Sequence, residues 1–335
     1  MKEKNLLLCS VLLAFSSLGA DIHSPGEERP YDEQFPPKPT YPLPWFTGPL
    51  LAPSGHVIPV GHINFEPYFF VNVDTGTYNS HWKSQSAPNF YNLATQLFTQ
   101  VGIFNRVDFG FTPQFSWNHV SGASHWEFND MPVVFDVQLL YDTPDTWAPA
   151  IKFSLRGTIP FGNYQKLNPQ KKETDIGGSG NWNPGVGLTF SRLFHFSELH
   201  YLAARWAFIY TVPNAVYVKG YNAYGGGFGT RGKVYPGPSF FSDIGLEYSL
   251  SQNWALALDI VYAHNNHTRF KGRRGCTDGM LNSVGGPSSE SFSLAPAFEY
   301  NWSENYGLIA GVWFSIAGRN TAEFVNGVIA INIYQ

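Results

Sequence analysis

A period of two constrains this chain more than any other feature. Phe292, Leu294, Pro296, Phe298, Tyr300 and Trp302 alternate with Ser293, Ala295, Ala297, Glu299 and Asn301. Trp254, Leu256, Leu258, Ile260 and Tyr262 alternate with Ala255, Ala257, Asp259, Val261 and Ala263, and the stretch from Val107 to Asn118 does the same. Successive side chains of an extended strand point to opposite faces, so each stretch has one greasy face and one polar face. The same test along the chain predicts about twelve strands. They lie near 62–73, 92–104, 107–120, 131–142, 147–160, 184–194, 200–212, 240–250, 253–264, 291–302, 306–317 and 323–334. Each is close to the roughly 9–11 residues that cross a bilayer when tilted. The fold class expected is all-β: a transmembrane antiparallel β-barrel of about twelve strands over residues 62–335. An even strand count brings both termini to the periplasmic side.

Composition agrees. Charged residues are 14% of the chain, against roughly 25% in soluble domains. Aromatics reach 17%, which excludes wholesale disorder. No late run approaches the roughly 20 apolar residues of a membrane helix. A net charge of -4 gives no reason to expect nucleic acid as a partner. Tight connections at 105–106, 143–146, 195–199, 251–252 and 303–305 alternate with longer ones at 74–91, 121–130, 161–183, 213–239, 265–290 and 318–322. Short turns on one side and long loops on the other are the asymmetry of outer-membrane barrels. Trp117, Tyr141, Trp147, Tyr201, Tyr210, Trp254, Tyr262, Tyr300, Trp302 and Tyr306 sit near strand ends, where girdle residues belong. A soluble sandwich needs one buried core about 10 Å thick, not greasy outward faces on nearly every strand.

The N-terminus divides in two. Lys2 and Lys4 followed by the apolar stretch 6–18 and small residues to Ala20 read as a signal peptide over 1–20. Residues 21–61 are interrupted by prolines and read as a periplasmic leader or plug, with Trp45, Phe46, Leu50 and Leu51 as an apolar half suited to the barrel mouth. Cys9 falls in the signal, and Cys276, alone afterwards, has no internal disulfide partner.

If the greasy face meets lipid, the other face points inward. That places Glu66, Asp108, Asp136, Lys152, Arg156, Arg205, Asp243, Glu247, Asp259 and Glu299 in the lumen. Facing lipid at mid-depth would cost about 2–4 kcal/mol for each Lys or Arg. Two readings of the ten charges stand side by side. They set the selectivity of a pore for small solutes, opposite signs making a transverse field that excludes apolar ones. Alternatively they brace a closed structural or surface-interaction barrel that binds lipopolysaccharide or host partners through its basic loops. Those loops hold Lys83, Lys166, Lys171, Lys172, Lys219, Arg231, Lys233, Arg269, Lys271, Arg273, Arg274 and Arg319, and Arg forks suit phosphates.

Catalytic and metal signatures are weak, so no enzyme, cofactor or metal is expected. Gly227 to Lys233 has glycine-loop spacing, but Val234 replaces the Ser or Thr needed for magnesium. His264 and His267 lack completing ligands. Around Ser121 and Ser179 the sequence does not reproduce the nucleophile motif of barrel phospholipases.

The strand Asp130-Met131-Pro132-Val133-Val134-Phe135-Asp136-Val137-Gln138-Leu139-Leu140-Tyr141-Asp142, the pattern from Lys152 to Phe161 and the alternation that follows carry a family likeness. On these the chain resembles the Gram-negative outer-membrane β-barrel "transporter" family related to MetA-pathway phenol-degradation proteins. The resemblance implies uptake of small molecules, aromatic compounds included. Its lipid, its lipopolysaccharide, its solute and the barrel-assembly machinery are then the expected partners. The family's barrels usually end on a lipid-facing aromatic residue, whereas Tyr334 here stands one place out of phase before Gln335.

Overall fold

The computed structural model describes residues 43–143 and 147–335. The signal peptide read over 1–20 and the first part of the leader lie outside the described residues.

Twelve barrel strands form the wall. They are β1 (Ile63–Tyr78), β2 (Ser84–Phe104), β3 (Val107–Phe111 and Gln114–Val120), β4 (Ala123–Phe128 and Met131–Leu140), β5 (Ala150–Ile159) and β6 (Gly185–Ser197). Then follow β7 (His200–Thr211), β8 (Ser239–Ser249), β9 (Trp254–Asn265), β10 (Ser289–Asn301), β11 (Tyr306–Arg319) and β12 (Thr321–Tyr334). Each pairs antiparallel with its neighbours in sequence, and β1 also pairs with β12, so the sheet closes. Closure removes the free edge that no strand can leave in hydrocarbon. β3 breaks at Pro113, whose missing N–H cannot serve the ladder.

Burial alternates along the strands as the sequence period requires. On β9, Trp254, Leu256 and Ile260 are exposed while Ala255, Ala257, Asp259 and Val261 are buried. Phe69, Val71, Leu93, Trp206, Phe298, Val325 and Ile329 extend the outward apolar surface around the wall. On a soluble chain so continuous a patch would drive association; on a closed barrel it is the lipid face.

Three connections expected to be on the long side are strand instead, one of them 318–322, where only Asn320 separates β11 from β12. β1 and β2 run on through 74–78 and 84–91, leaving only 79–83 as a turn, and β4 begins at Ala123. These extensions carry Thr75, Thr77, Ser84, Gln85, Ser86 and Asn89. Above the lipid, neither face needs to be greasy, so the alternation that marks the rest of each strand is lost. Tyr201, expected in the girdle, is buried on the inner face. Tyr334 is also inward, 3% exposed and stacked on His62 at 5.3 Å, while Ile331 faces outward. Both barrel ends, Ile63 and Tyr334, lie at the short-turn end.

A charge on the outer face is therefore expensive. Ile260→Arg should lower the unfolding free energy by about 2–4 kcal/mol, measured by urea titration of tryptophan fluorescence in lipid vesicles. A loss below about 0.5 kcal/mol, within ordinary surface variation, would place that face away from lipid.

Candidate functional site

The candidate site is the lumen, and its short-turn half is filled by the chain's own leader. Residues 43–60 cross it from the turn between β8 and β9 to the turn between β2 and β3, on the far side of the barrel. At the first end the Trp45 N–H donates to the Gln252 carbonyl at 3.1 Å, and the Gln252 amide donates to the Leu43 carbonyl at 2.8 Å. At the other, Gly61 N–H donates to the Gly102 carbonyl at 3.3 Å.

Between these ends the wall meets the leader's backbone donors one by one. Thr47 N–H donates to Glu299 Oε2 at 2.8 Å, Gly48 N–H to Glu247 Oε1 at 2.9 Å, and Ala52 N–H to Asp259 Oδ1 at 3.0 Å. Val57 N–H donates to Gln138 Oε1 at 2.9 Å, and Ile58 N–H to Asp108 Oδ2 at 2.8 Å. Pro44, Pro49, Pro53 and Pro59 carry no N–H to satisfy. A leader poor in donors, facing carboxylates that accept charge-assisted bonds, can be buried without orphaned backbone. Its apolar side packs too: Leu50, Leu51 and Ala52 are at most 2% exposed and Leu50 and Leu51 join the wall residues Ile309, Ala257 and Ala297 in one cluster. Gly245 makes room, since a Cβ there would lie 2.6 Å from Ala52 Cβ and 2.7 Å from Pro49 Cγ.

Nine of the ten charged residues singled out in the sequence are buried, and Arg156 is half-buried. Asp108, Glu247, Asp259 and Glu299 hold the leader. Lys152 Nζ pairs with Asp136 Oδ2 at 2.9 Å, and Arg205 pairs with Glu247 Oε2 at 2.9 Å. Glu66 accepts from Asn64, Asn332 and Tyr68 at 2.8–2.9 Å. Arg156 shares the inner face of β5 with Lys152. Asp243 differs: it is fully buried, and neither carboxylate oxygen has a hydrogen-bond partner among the described residues. Gln138 carries no charge to single it out in the sequence, although its place in the alternation marks it as inward.

Above the leader the lining divides. Asn92 donates to Asn118 at 2.7 Å and Gln96 to Gln114 at 3.1 Å on the β2–β3 wall. Tyr68, Phe98, Phe241, Trp313, Phe324 and Val328 form an apolar cluster around the rest. At the long-loop end, residues 174–179 pack against β3 and the break in β4: Asn118 donates to the Thr174 carbonyl at 3.0 Å, and Asp130 accepts from Gly162 and Ser179 N–H at 2.9 and 2.7 Å. Desolvation, with repulsion from Asp175 behind it, pushes the Glu173 carboxyl up to about 7.

No family model matches the chain, and neither does any curated protein. Among solved structures it is similar to an outer-membrane channel from Pseudomonas putida F1, with a TM-score of 0.63, 12% identity, and coverage of 84% of this chain and 98% of that one. It also matches the transport unit of the autotransporter AIDA-I from Escherichia coli, with TM-score 0.43, 10% identity, and coverage of 82% and 90%. The Pseudomonas putida toluene transporter TodX gives 0.35, 11%, 82% and 89%. At these identities the likeness is one of fold, carried by the first.

Two outcomes follow from this geometry. Gly245→Val should dislodge the leader, so chymotrypsin should cut between Trp45 and Leu51 about tenfold faster than in the parent, with fragments read by mass spectrometry. Equal rates would mean that the leader is not seated on the wall. The raised Glu173 carboxyl favours the folded state when protonated, so its contribution is complete below about pH 4.5. It is lost as pH climbs to about 7 and beyond, because the unfolded carboxyl ionises first. Hydrogen exchange over 173–181 should therefore quicken, beyond the intrinsic rate change, between pH 5 and 8 in the parent and less in Glu173→Gln.

Proposed function

We propose that the protein is an integral outer-membrane channel of a Gram-negative-type bacterium. It passes small solutes passively, with both chain ends periplasmic and insertion by the barrel-assembly machinery. The observation that carries this reading is a closed barrel, greasy outside and lined within by charged, amide and aromatic side chains, whose short-turn mouth is filled, among the described residues, by a leader seated on the wall through hydrogen bonds and packing. Hydrogen bonds between backbone N–H groups and wall carboxylates can be exchanged for water, so the segment can withdraw without unfolding the wall. The fold likeness to an outer-membrane channel supports the same role, as does the resemblance of 130–142 and 152–161 to barrels of phenol-degradation pathways.

The lining narrows the solute class. Most of the ten charges are engaged by the leader or by each other, leaving less free field than ten unpaired charges would give. A lining that sets the amides of β2 and β3 beside Phe, Tyr and Trp side chains suits a small, uncharged molecule with an apolar body and a polar edge. Asp243, buried without a partner, is the acceptor that such an edge would meet, since a buried polar group gains most from the bond it lacks.

Planar-bilayer recordings test the proposal. The parent should open rarely, and a variant lacking 43–60 should conduct steadily, with discrete steps. Asp243→Asn in that background should reduce cation preference severalfold. Silence from both parent and truncated protein would remove the channel and favour a closed structural barrel.

A further inference from the structure

Three wall strands do not stop at the rim. Beyond β7, β8 and β9 the chain forms a second sheet from Val216–Lys219, Arg231–Tyr235 and Arg269–Arg273. Its register continues that of the barrel: Ser239 faces Asn265 in the wall, and Tyr235 faces Arg269 four residues further along both strands. Likewise Ser239 faces Thr211, and Val234 faces Val216 five residues on. Side chains alternate along a strand, so an unbroken register keeps the odd-numbered positions on one side. In the wall that side is the inner one, marked by the buried Arg205, Asp243 and Asp259. The odd-numbered face of the second sheet therefore lies on the lumen's side, above the long-loop rim.

The even-numbered face is apolar and covered: Val216, Val218 and Val234 are buried with Val284 against Tyr164, Tyr224 and Phe270. That packing fixes the sheet from one side and leaves the odd-numbered side in solvent. The exposed side carries six cations and two tyrosines. Lys219, Arg231 and Arg273 stand in one row across the three strands, Lys233 and Lys271 in the next, and Arg269 nearest the rim. Like charges directly opposite on paired strands repel. No ion pair joins any of the six to a carboxylate among the described residues. Their partners within the chain are neutral. Lys219 Nζ sits over the Tyr217 ring at 5.7 Å and Lys233 Nζ over the Tyr235 ring at 5.6 Å. Arg231 donates to the Tyr217 hydroxyl, and Arg273 Nε to the Gly229 carbonyl at 3.0 Å. A guanidinium has five N–H donors, so each fork keeps donors to spare.

Paired strands lie about 4.8 Å apart and rise about 3.3 Å per residue, so the six cations share a patch of about 10 by 13 Å. That is close to the Debye length of about 10 Å at 0.1 M salt, so they act on an approaching charge together. Charge of one sign beside an entrance raises the local concentration of its counter-ion. Because the patch faces the lumen, that counter-ion is something that enters. Arg and Lys suit an oxyanion, Arg by paired N–H bonds. The deeper lining, amides beside Phe, Tyr and Trp, suits an apolar body behind it. We infer that this sheet collects small organic carboxylates at the long-loop entrance of the lumen. The inference rests on the channel reading and deepens it: the uncharged solute that the deeper lining suits is the neutral form of the same molecule. On leaving the cations the carboxylate takes one proton from water, and its O–H becomes the donor that Asp243 lacks. Collection itself needs no conduction.

The test uses the full-length protein in neutral detergent at pH 7 and low salt, with benzoate, the neutral isostere benzamide and inorganic phosphate as probes. Affinities are read by ligand-observed NMR titration. The parent should hold benzoate about fivefold or more tighter than benzamide, and tighter than phosphate. In 1 M salt, where the Debye length is about 3 Å, the preference over benzamide should shrink severalfold. Replacing all six cations with Gln should bring the ratio to about one and leave benzamide binding unchanged. Lys171→Gln with Lys172→Gln should leave the ratio as in the parent. If the sixfold variant does not fold, Arg231→Gln with Arg269→Gln and Arg273→Gln should still cut the ratio about threefold. Equal affinity for benzoate and benzamide, an undiminished ratio in the variants, or tighter binding of phosphate than of benzoate would overturn the inference. A benzoate preference in a protein whose leader-truncated form is silent in bilayers would support the collecting face and remove the channel. Steady conduction without the preference would remove the collecting face alone.

Discussion

The structure depends on one constraint: inside hydrocarbon, no backbone donor or acceptor can look to water for a partner. Twelve strands satisfy it by pairing β1 with both β2 and β12, so that every strand has two neighbours. Once the sheet is a cylinder, the sidedness of each strand follows. Period-two alternation puts Trp254, Leu256 and Ile260 toward lipid and Asp259 inward without any further instruction.

The same constraint reappears inside. An extended, irregular segment in a lumen is costly unless its N–H groups are met. Here the leader reduces its demand with prolines, and the wall supplies Glu299, Glu247, Asp259, Gln138 and Asp108 at 2.8–3.0 Å. Removing one such carboxylate leaves a buried donor unpaired, at a typical cost of about 1–3 kcal/mol. The arrangement is thus firm as a set, yet no single contact in it is strong.

Much of this is legible in the sequence where lipid imposes a pattern. Strand number and sidedness, with the burial of nine of the ten charges, follow from alternation alone. Legibility fails where the lipid ends. Residues 74–78 and 84–91 are strand without greasy alternation, because water bathes both faces there. Tyr201 and Tyr334 resemble girdle residues by type, but their place in the alternation turns them inward. What the charges touch is not written in the pattern either. Asp108 and Asp243 look alike in sequence, yet one holds Ile58 and the other has no hydrogen-bond partner among the described residues. Nor does composition show that basic loop residues from three separate segments align in rows, since that requires the continued register of β7, β8 and β9.

The most direct test of the central claim is a spin-label scan along β9 in lipid bilayers, one nitroxide at a time from 254 to 263. Collision with dissolved oxygen, which concentrates in lipid, should be high at 254, 256, 258, 260 and 262 and low at 255, 257, 259, 261 and 263. A flat profile, or maxima at the odd positions, would contradict a cylinder with lipid on one face and the leader-filled lumen on the other.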